Sequence, residues 1–154
     1  MKPVIRYGTM AGIVAADRIA KICATRWVLP REIFPVLPLF QFQYVENSGA
    51  AFGIGIGHNG FIAFLTALSL AGFLYLQTVW ARKNDWVQFG LVFLAAGAAG
   101  NLVDRLVHGA VIVFLDFRIW PVFNLADIFI VIGACCWVWG RTVEEGRSSK
   151  ESNG

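Results

Sequence analysis

An uncharged run of 20 residues, Phe61 to Trp80, constrains the fold of this chain more than any other sequence feature. A helix of that length rises about 30 Å at about 1.5 Å per residue, which matches the hydrocarbon core of a bilayer. Of the 154 residues, 57% are hydrophobic and only 15% are charged. That composition leaves too few polar side chains to cover a soluble domain of this size. The chain is therefore predicted to fold in a membrane.

Three further stretches are candidates for membrane spans. Residues 86–100 are uncharged, and the stretch reaches spanning length only when it extends to 107. Residues 123–140 contain one charged residue, Asp127, whereas residues 7–29 contain four. For the N-terminal stretch the competing interpretation is a cleaved signal peptide, but charges interrupt the place where a small-residue cleavage site is expected. We favour a retained first helix.

These stretches predict one membrane domain over residues 1–143, with spans at about 7–29, 61–80, 86–107 and 123–140. Residues 144–154 are predicted to form a polar, mobile cytoplasmic tail. Four spans place both termini on one side, and basic residues favour the cytoplasmic side of a membrane. Seven basic residues then lie on the side of the termini: Lys2, Arg6, Arg82, Lys83, Arg141, Arg147 and Lys150. Three lie on the other side, Arg26, Arg31 and Arg118, so both termini are predicted to be cytoplasmic.

The two outward-facing connections contain strand patterns. Phe40 to Tyr44 alternates apolar and polar residues with period two, and Ala110 to Leu115 is a second β-type run. We expect the two to pair into a small sheet on the outer membrane face. The predicted fold class is thus an all-α membrane protein of four transmembrane helices with a small extracytoplasmic β-element.

Charge and metal-ligand patterns argue against several other functions. The net charge is +3, but the basic residues are scattered, so no nucleic-acid surface is predicted. Cys23 stands alone, Cys135 and Cys136 are adjacent, and His58 and His108 are isolated from one another. These spacings indicate neither a metal site nor a redox pair, and we predict no cofactor.

Polar residues inside spans are costly and tend to mark function. Asn101, Asp104 and Arg105 lie at the outer end of the third span, at spacings that put them on one helix face. Asn124 and Asp127 lie three residues apart at the start of the fourth span, which runs in the opposite direction. Both groups fall at the same depth. This topology predicts one polar site in the outer half of the bundle.

The charged residues of the spans also have a purely structural interpretation. Asp17 with Lys21, four residues apart, and Asp104 with Arg105 are candidate ion pairs that hold helices together. Asp127 differs, because no basic residue lies within one helical turn of it. A carboxylate of this kind is a candidate proton donor or acceptor.

Four short motifs, in order, resemble those of the bacterial lipoprotein signal peptidases, also called type II signal peptidases. They are Asp17-Arg-Ile-Ala-Lys21, Asn47-Ser-Gly-Ala-Ala-Phe-Gly53, Gly100-Asn-Leu-Val-Asp-Arg105 and Phe123-Asn-Leu-Ala-Asp127. The resemblance runs from about Asp17 to about Ile132. It implies a monomeric aspartic endopeptidase of the bacterial inner membrane, with a β-cradle on the outer face. The implied substrate is a prolipoprotein, in contact with membrane lipid, that is cut just before a diacylglyceryl-modified cysteine.

The resemblance also implies roles for individual residues. Asp127 matches a catalytic aspartate of the family, and Asp104 matches a supporting position. Small residues at Gly49, Ala50 and Ala51 would permit close backbone approach. The polar positions that would bind substrate or orient the carboxylates are Asn47, Asn101, Arg105 and Asn124.

One position departs from the family pattern. The second catalytic aspartate of the family lies in a Gly-x-Val-x-Asp-Phe run, whereas this chain has Gly109-Ala-Val-Ile-Val113-Phe114. A valine cannot exchange a proton with water or with Asp127. The chain is then either a natural relative that has lost protease activity, an altered active-site variant, or an enzyme in which Asp116 supplies the carboxylate. Asp116, three residues away, falls on the opposite face of a strand, whereas a helical turn there would return it to the same face. Impaired catalysis is the favoured interpretation, and rescue by Asp116 ranks second.

Two further functions remain alternatives. An inactive homologue would bind lipoproteins or their signal peptides without cleaving them. A small transporter is the third possibility, although the chain shows neither an inverted repeat nor a pair of broken helices.

Overall fold

A computed structural model describes residues 2–29, 33–49, 58–80 and 84–152 of the chain. Along these residues four helices and three strands follow one another. The helices are α1 (Pro3–Cys23), α2 (Asn59–Val79), α3 (Asp85–His108) and α4 (Leu125–Ser152). The strands are β1 (Ile33–Leu37), β2 (Phe40–Asn47) and β3 (Val111–Asp116), and a π-helical turn, Ala24–Val28, continues α1.

Three helices of the described part are long and apolar enough to cross a membrane. They are Asn59–Val79, Asp85–His108 and Leu125–Gly146 within α4. Helix α1 is 21 residues long and is interrupted by charged residues, so it is not among them. The fold is thus mostly helical with three membrane-capable helices, and the fourth span and its boundaries stay predictions.

Helix α3 is the central element and packs against the other three helices. Asn84 caps its first turn by accepting a hydrogen bond from the Trp86 N–H at 2.9 Å. Gly109 ends it with φ 74°, a left-handed conformation that favours glycine. Small residues bring α4 close to it, since a Cβ added to Gly97 would lie 2.5 Å from the Ala126 carbonyl oxygen. This close packing sets the position of the first turn of α4.

The three strands form one antiparallel sheet in the order β1-β2-β3. The predicted pairing of the two outer segments is confirmed, because Gln41 pairs with Asp116 and Val45 with Val113. Strand β1 was missed. It contains Pro35, which lacks an N–H donor and is tolerated at a sheet edge, where β1 lies.

The end of β3 is joined to the segment that leads into α4. The N–H groups of Phe114 and Leu115 both donate to the Phe123 carbonyl, at 3.0 and 2.8 Å, and the Phe123 N–H donates back to Leu115 at 3.0 Å. The sheet is therefore fixed directly against the start of α4.

Helix α4 continues past the predicted end of the fourth span at residue 140. It runs without a break to Ser152, so residues 144–152 of the predicted tail are helical. Arg141 contacts Glu144 at 3.0 Å and Glu145 at 3.3 Å. Such pairs, three and four residues apart, support a helix in polar surroundings.

Candidate active site

The first turn of α4 holds Asp127 in a reciprocal hydrogen-bond pair with Asn124. The Asp127 N–H donates to Asn124 Oδ1 at 2.9 Å, and the Asn124 N–H donates to Asp127 Oδ2 at 3.1 Å. This arrangement is a capping box, in which each side chain satisfies a free N–H group at the helix start. The Phe-Asn-x-x-Asp sequence therefore fixes the Asp127 carboxylate locally.

Asn101 on α3 fixes the other carboxylate oxygen. Its Nδ2 donates to Asp127 Oδ1 at 2.8 Å, and its own Oδ1 accepts from Asn124 Nδ2 at 3.0 Å. Asn124 Nδ2 also donates to the Ile112 carbonyl of β3 at 3.0 Å. Asn124 is fully buried and Asn101 nearly so. Three of the five polar residues predicted to lie at one depth, Asn101, Asn124 and Asp127, therefore form one network.

A buried ion cluster lies beside this network. Lys21 contacts Asp17 at 2.6 Å and Asp104 at 2.7 Å, and Arg18 also pairs with Asp104. The predicted Asp17–Lys21 pair is thus confirmed. The predicted pairing of Asp104 with Arg105 is wrong, because residues adjacent on a helix point in different directions and Asp104 turns toward α1.

Arg105 instead reaches the segment that follows β2. Its Nη2 donates to the Gly49 carbonyl at 2.9 Å, and the Gly49 N–H donates to Asn47 Oδ1 at 2.9 Å. Among the described residues the Arg105 Nε atom is buried without a hydrogen-bond partner. Arg105 also lines the cavity described next. Ala50 and Ala51 lie outside the described residues.

Val113 and Asp127 line the same cavity, which has a volume of about 320 Å³. Val113 is 3% exposed and comes from β3, whereas Asp127 comes from α4. The other residues that line this polar cavity are Asn47, Asn101, Arg105, Val111, Trp120, Pro121, Val122, Phe123, Ile130 and Val131. Most of the predicted polar site residues therefore converge on one cavity, which Val113 also lines.

Asp116 has other partners. Its carboxylate accepts from Gln41 Nε2 at 2.7 Å and from the Arg118 N–H at 2.6 Å. Gln41 Oε1 in turn accepts from Arg118 Nη2 at 2.7 Å. Asp116 is not among the residues that line the polar cavity. It stabilises the turn after β3 through the Arg118 N–H, and its place outside the polar cavity agrees with the opposite strand face predicted from its spacing to Val113.

An apolar groove of about 480 Å³ adjoins the polar cavity. It is lined by Phe117, Ile119, Trp120, Phe123, Asp127, Ile128, Val131 and Ile132. Asp127 is its acidic residue and lines both spaces. The carboxylate thus stands where a polar chain segment and an apolar group could be held side by side.

A second apolar groove, of about 510 Å³, lies beside α1 and the sheet. Trp27, Phe34 and Phe114 contribute to its wall. None of the residues that line it carries a carboxylate, and Phe114 points to the face of β3 opposite Val113. This groove is therefore separate from the polar cavity.

Sequence reasoning missed the aromatic wall of the site. Trp120 and Phe123 line both the polar cavity and the groove beside Asp127. An apolar segment between a strand and a span gives no periodic signal, since it is neither a regular strand nor a helix. In the described part of the chain, no group of three or more His, Cys, Asp or Glu side chains is placed to hold a metal ion.

Known proteins resemble this chain over most of its length. Residues 9–142 match the family described as signal peptidase (SPase) II. A lipoprotein signal peptidase of Pelotomaculum thermopropionicum is 38% identical over 143 residues, covering 92% of this chain and 94% of that protein. One from Microcystis aeruginosa is 44% identical over 111 residues, covering 68% of this chain and 70% of that protein.

Two solved structures have a similar fold. A bacterial membrane enzyme determined by the in meso method at 2.3 Å resolution has a TM-score of 0.84 and 26% identity, covering 94% of this chain and 92% of that one. A second such structure, at 1.9 Å resolution, has a TM-score of 0.79 and 28% identity, covering 88% and 91%.

Proposed function

Because this chain belongs to the signal peptidase II family, we propose that it is built as a membrane aspartic endopeptidase for prolipoproteins. Its substrate is a signal peptide followed by a diacylglyceryl-modified cysteine. The observation that carries this proposal is the position of Asp127, which lines both a polar cavity and an apolar groove. The peptide backbone of a lipid-modified substrate suits the polar cavity, and its acyl chains suit the apolar groove.

The reaction needs two proton-transferring groups. Asp127 takes a proton from water, whose oxygen attacks the scissile carbonyl carbon, and a second carboxylic acid protonates the carbonyl oxygen or the leaving amine. Residue 113 is the position for that second acid. Arg105 and Asn47 line the same cavity, and their guanidinium and amide groups can hydrogen-bond to the peptide backbone of the substrate.

Val113 removes the second acid, so catalysis by this chain is strongly reduced. Loss of one member of a cooperating catalytic pair costs several orders of magnitude in rate. The polar network around Asp127 is intact, which supports a second candidate function. The chain would then bind lipidated signal peptides without cleaving them.

The proposed setting is the bacterial cytoplasmic membrane, with four spans in residues 1–143 and both termini in the cytoplasm. The excess of basic residues on the side of the termini supports this orientation. Asp127 and Asn101 lie at the ends of α4 and α3 that then face outward. The site is near the outer face, where a lipid-anchored cysteine resides, and the protein acts as a monomer.

Binding and cleavage of matched peptides in nanodiscs test the proposal. The pair is a prolipoprotein peptide with a diacylglyceryl-cysteine and the same peptide with unmodified cysteine. We expect the unmodified chain to bind the lipidated peptide at least tenfold more tightly, and its Val113→Asp variant to cut it before the cysteine. Equal binding of both peptides would contradict the proposal. Selective binding without cleavage by Val113→Asp would favour the binding function.

A further inference from the structure

Lys21 is one of the most deeply buried side chains of the described residues, with 1% exposure. Its ammonium group contacts two carboxylates, Asp17 at 2.6 Å and Asp104 at 2.7 Å. Its third partner is not charged. Nζ donates to Asn101 Oδ1 at 3.4 Å, and Asn101 is the residue that donates to Asp127. The ion cluster is therefore one hydrogen bond away from the network around the candidate catalytic carboxylate.

An ammonium group has three donors and no acceptor. Asn101 turns its oxygen toward two donors, Lys21 Nζ and Asn124 Nδ2, which leaves its NH₂ group facing Asp127 Oδ1. If the amide were flipped, its NH₂ group would oppose the ammonium and its oxygen would oppose the carboxylate. We propose that Lys21 is a positioning residue for the proposed peptidase reaction: it fixes the Asn101 amide so that Asp127 is held with a free lone pair toward the cavity. This inference rests on the proposed function of Asp127.

Asp17 strengthens the same arrangement from the backbone side. Its Oδ1 accepts from the Ala126 N–H at 3.0 Å, in the turn of α4 that carries Asp127. A Cβ on Gly100 would lie 2.8 Å from Asp17 Oδ2, so only glycine leaves room for this approach. Helix α1 thus fixes α4 through Asp17 and α3 through Lys21.

The charge balance of the cluster allows a clean test. Two carboxylates, Asp17 and Asp104, balance two cations, Arg18 and Lys21. Removing Lys21 alone would leave an unpaired buried carboxylate and endanger folding. The double variant Asp17→Asn/Lys21→Met removes one charge of each sign. It keeps an oxygen for the Ala126 N–H and loses the donor to Asn101.

A matched control removes the other pair. Arg18→Met/Asp104→Asn also deletes one charge of each sign from the same cluster. It keeps an acceptor for the Ile112 N–H, which donates to Asp104 at 3.2 Å, and it leaves the Lys21–Asn101 contact in place. The two double variants thus differ in whether Asn101 remains oriented by Lys21.

The first readout needs no activity. In protein labelled with ¹⁵N-asparagine, the side-chain NH₂ signals of Asn101 are assigned by their loss in Asn101→Ser. We expect them to move and to exchange faster with solvent in Asp17→Asn/Lys21→Met, and to stay in place in the control. Signals that stay in place in both double variants would overturn the inference.

The second readout is the steady-state cleavage of the lipidated peptide, with each double variant placed in the Val113→Asp background. Asn124 still holds Asn101 Oδ1, so we expect kcat to fall about tenfold in Asp17→Asn/Lys21→Met, with KM within about twofold. The control should retain kcat within about threefold. Equal loss of kcat in both, or a shifted NMR signal with unchanged kcat, would overturn the inference. An inactive Val113→Asp parent would instead refute the proposed function and leave the NMR result to decide on Lys21.

Discussion

Replacing Val113 with aspartate should create the missing half of a catalytic pair. The Val113 side chain is 3% exposed, lines the polar cavity of about 320 Å³ and shares it with Asp127. The carboxylate of aspartate is similar in size to the isopropyl group of valine, so it fits without displacing the strand. Two carboxylates close enough to share a proton cannot both ionise readily, which provides one base and one acid.

The expected gain in cleavage rate follows from the restoration of one catalytic carboxylic acid. One positioned acid or base contributes about 10²- to 10⁴-fold to a rate. At about 1.36 kcal/mol for each factor of ten, the restored carboxylate should lower the barrier by about 3 to 5 kcal/mol. It should also cost about 1 to 3 kcal/mol of stability, because a polar group replaces an apolar one at a buried position. A gain in rate with a lower Tm is the expected combination.

The assay is cleavage of a diacylglyceryl-cysteine prolipoprotein peptide, followed by mass spectrometry of the products. Val113→Asn is the matched control, since an amide of the same shape cannot donate as an acid. Asp127→Asn in the Val113→Asp background should abolish the gain. A Val113→Asp variant that is folded but no faster than folded Val113→Asn would refute the proposed pair of carboxylates. Cleavage at an ordinary rate by the unmodified chain, abolished by Asp116→Asn, would also refute it.

Three further predictions concern stability. Gly97→Ala should lower the Tm, at a cost of about 1 to 3 kcal/mol, because the new methyl group would lie 2.5 Å from a carbonyl oxygen of α4. Gly72→Ala is the control and should leave the Tm unchanged, since nothing lies within 4 Å of the added Cβ. Equal Tm values for the two variants would contradict the close packing of α3 and α4. Asp104→Ala should cost about 3 to 5 kcal/mol in denaturant titrations, because Arg18 loses its carboxylate partner and buried Lys21 keeps only Asp17, and a loss below about 1 kcal/mol would contradict the ion cluster. Burial raises the pKa of the Tyr44 hydroxyl, and its hydrogen bond to Glu46 raises it further. A raised pKa favours the protonated hydroxyl in the folded protein, so this contribution to stability is present below the ordinary tyrosine pKa of about 10 and is lost as the pH rises through the raised value. Comparison of Tm between the unmodified chain and Tyr44→Phe above pH 10 checks this, and identical pH profiles would exclude it.

The apolar helices were predictable because hydrocarbon imposes length and composition on any span. The predicted span 61–80 corresponds to the helix Asn59–Val79, and the predicted span 86–107 corresponds to Asp85–His108. The boundaries shifted by one or two residues, since caps such as Asn84 and Gly109 decide where a helix ends.

The candidate site was partly predictable for a related reason. Antiparallel helices bring the end of one to the start of the next, so Asn101 and Asp127 were expected at one depth. Their direct hydrogen bond was not predictable, because it depends on how α3 and α4 rotate against each other. The partner of Asp104 was misassigned for the same reason, since sequence spacing within one helix says nothing about the face that α1 presents.

The placement of Val113 and Asp116 on opposite faces of β3 was predicted from strand alternation alone. Val113 lines the polar cavity, whereas Asp116 bonds to Gln41 on the neighbouring strand. The aromatic wall formed by Trp120 and Phe123 could not be derived in this way, because an irregular segment has no period. Its position depends on the backbone pairing of Phe123 with Leu115.

We propose that the lipidated cysteine of the substrate is held beside Asp127. This placement is tested most directly by photo-crosslinking, with a diazirine on the acyl chain of a diacylglyceryl-cysteine prolipoprotein peptide. The unmodified chain suits this measurement, because the proposed loss of the second acid at Val113 predicts slow cleavage of the bound peptide. We predict crosslinks, mapped by mass spectrometry, to the residues of the stretch 117–132 that line the apolar groove beside Asp127. Crosslinks confined to the separate groove lined by Trp27 and Phe34 would contradict the account.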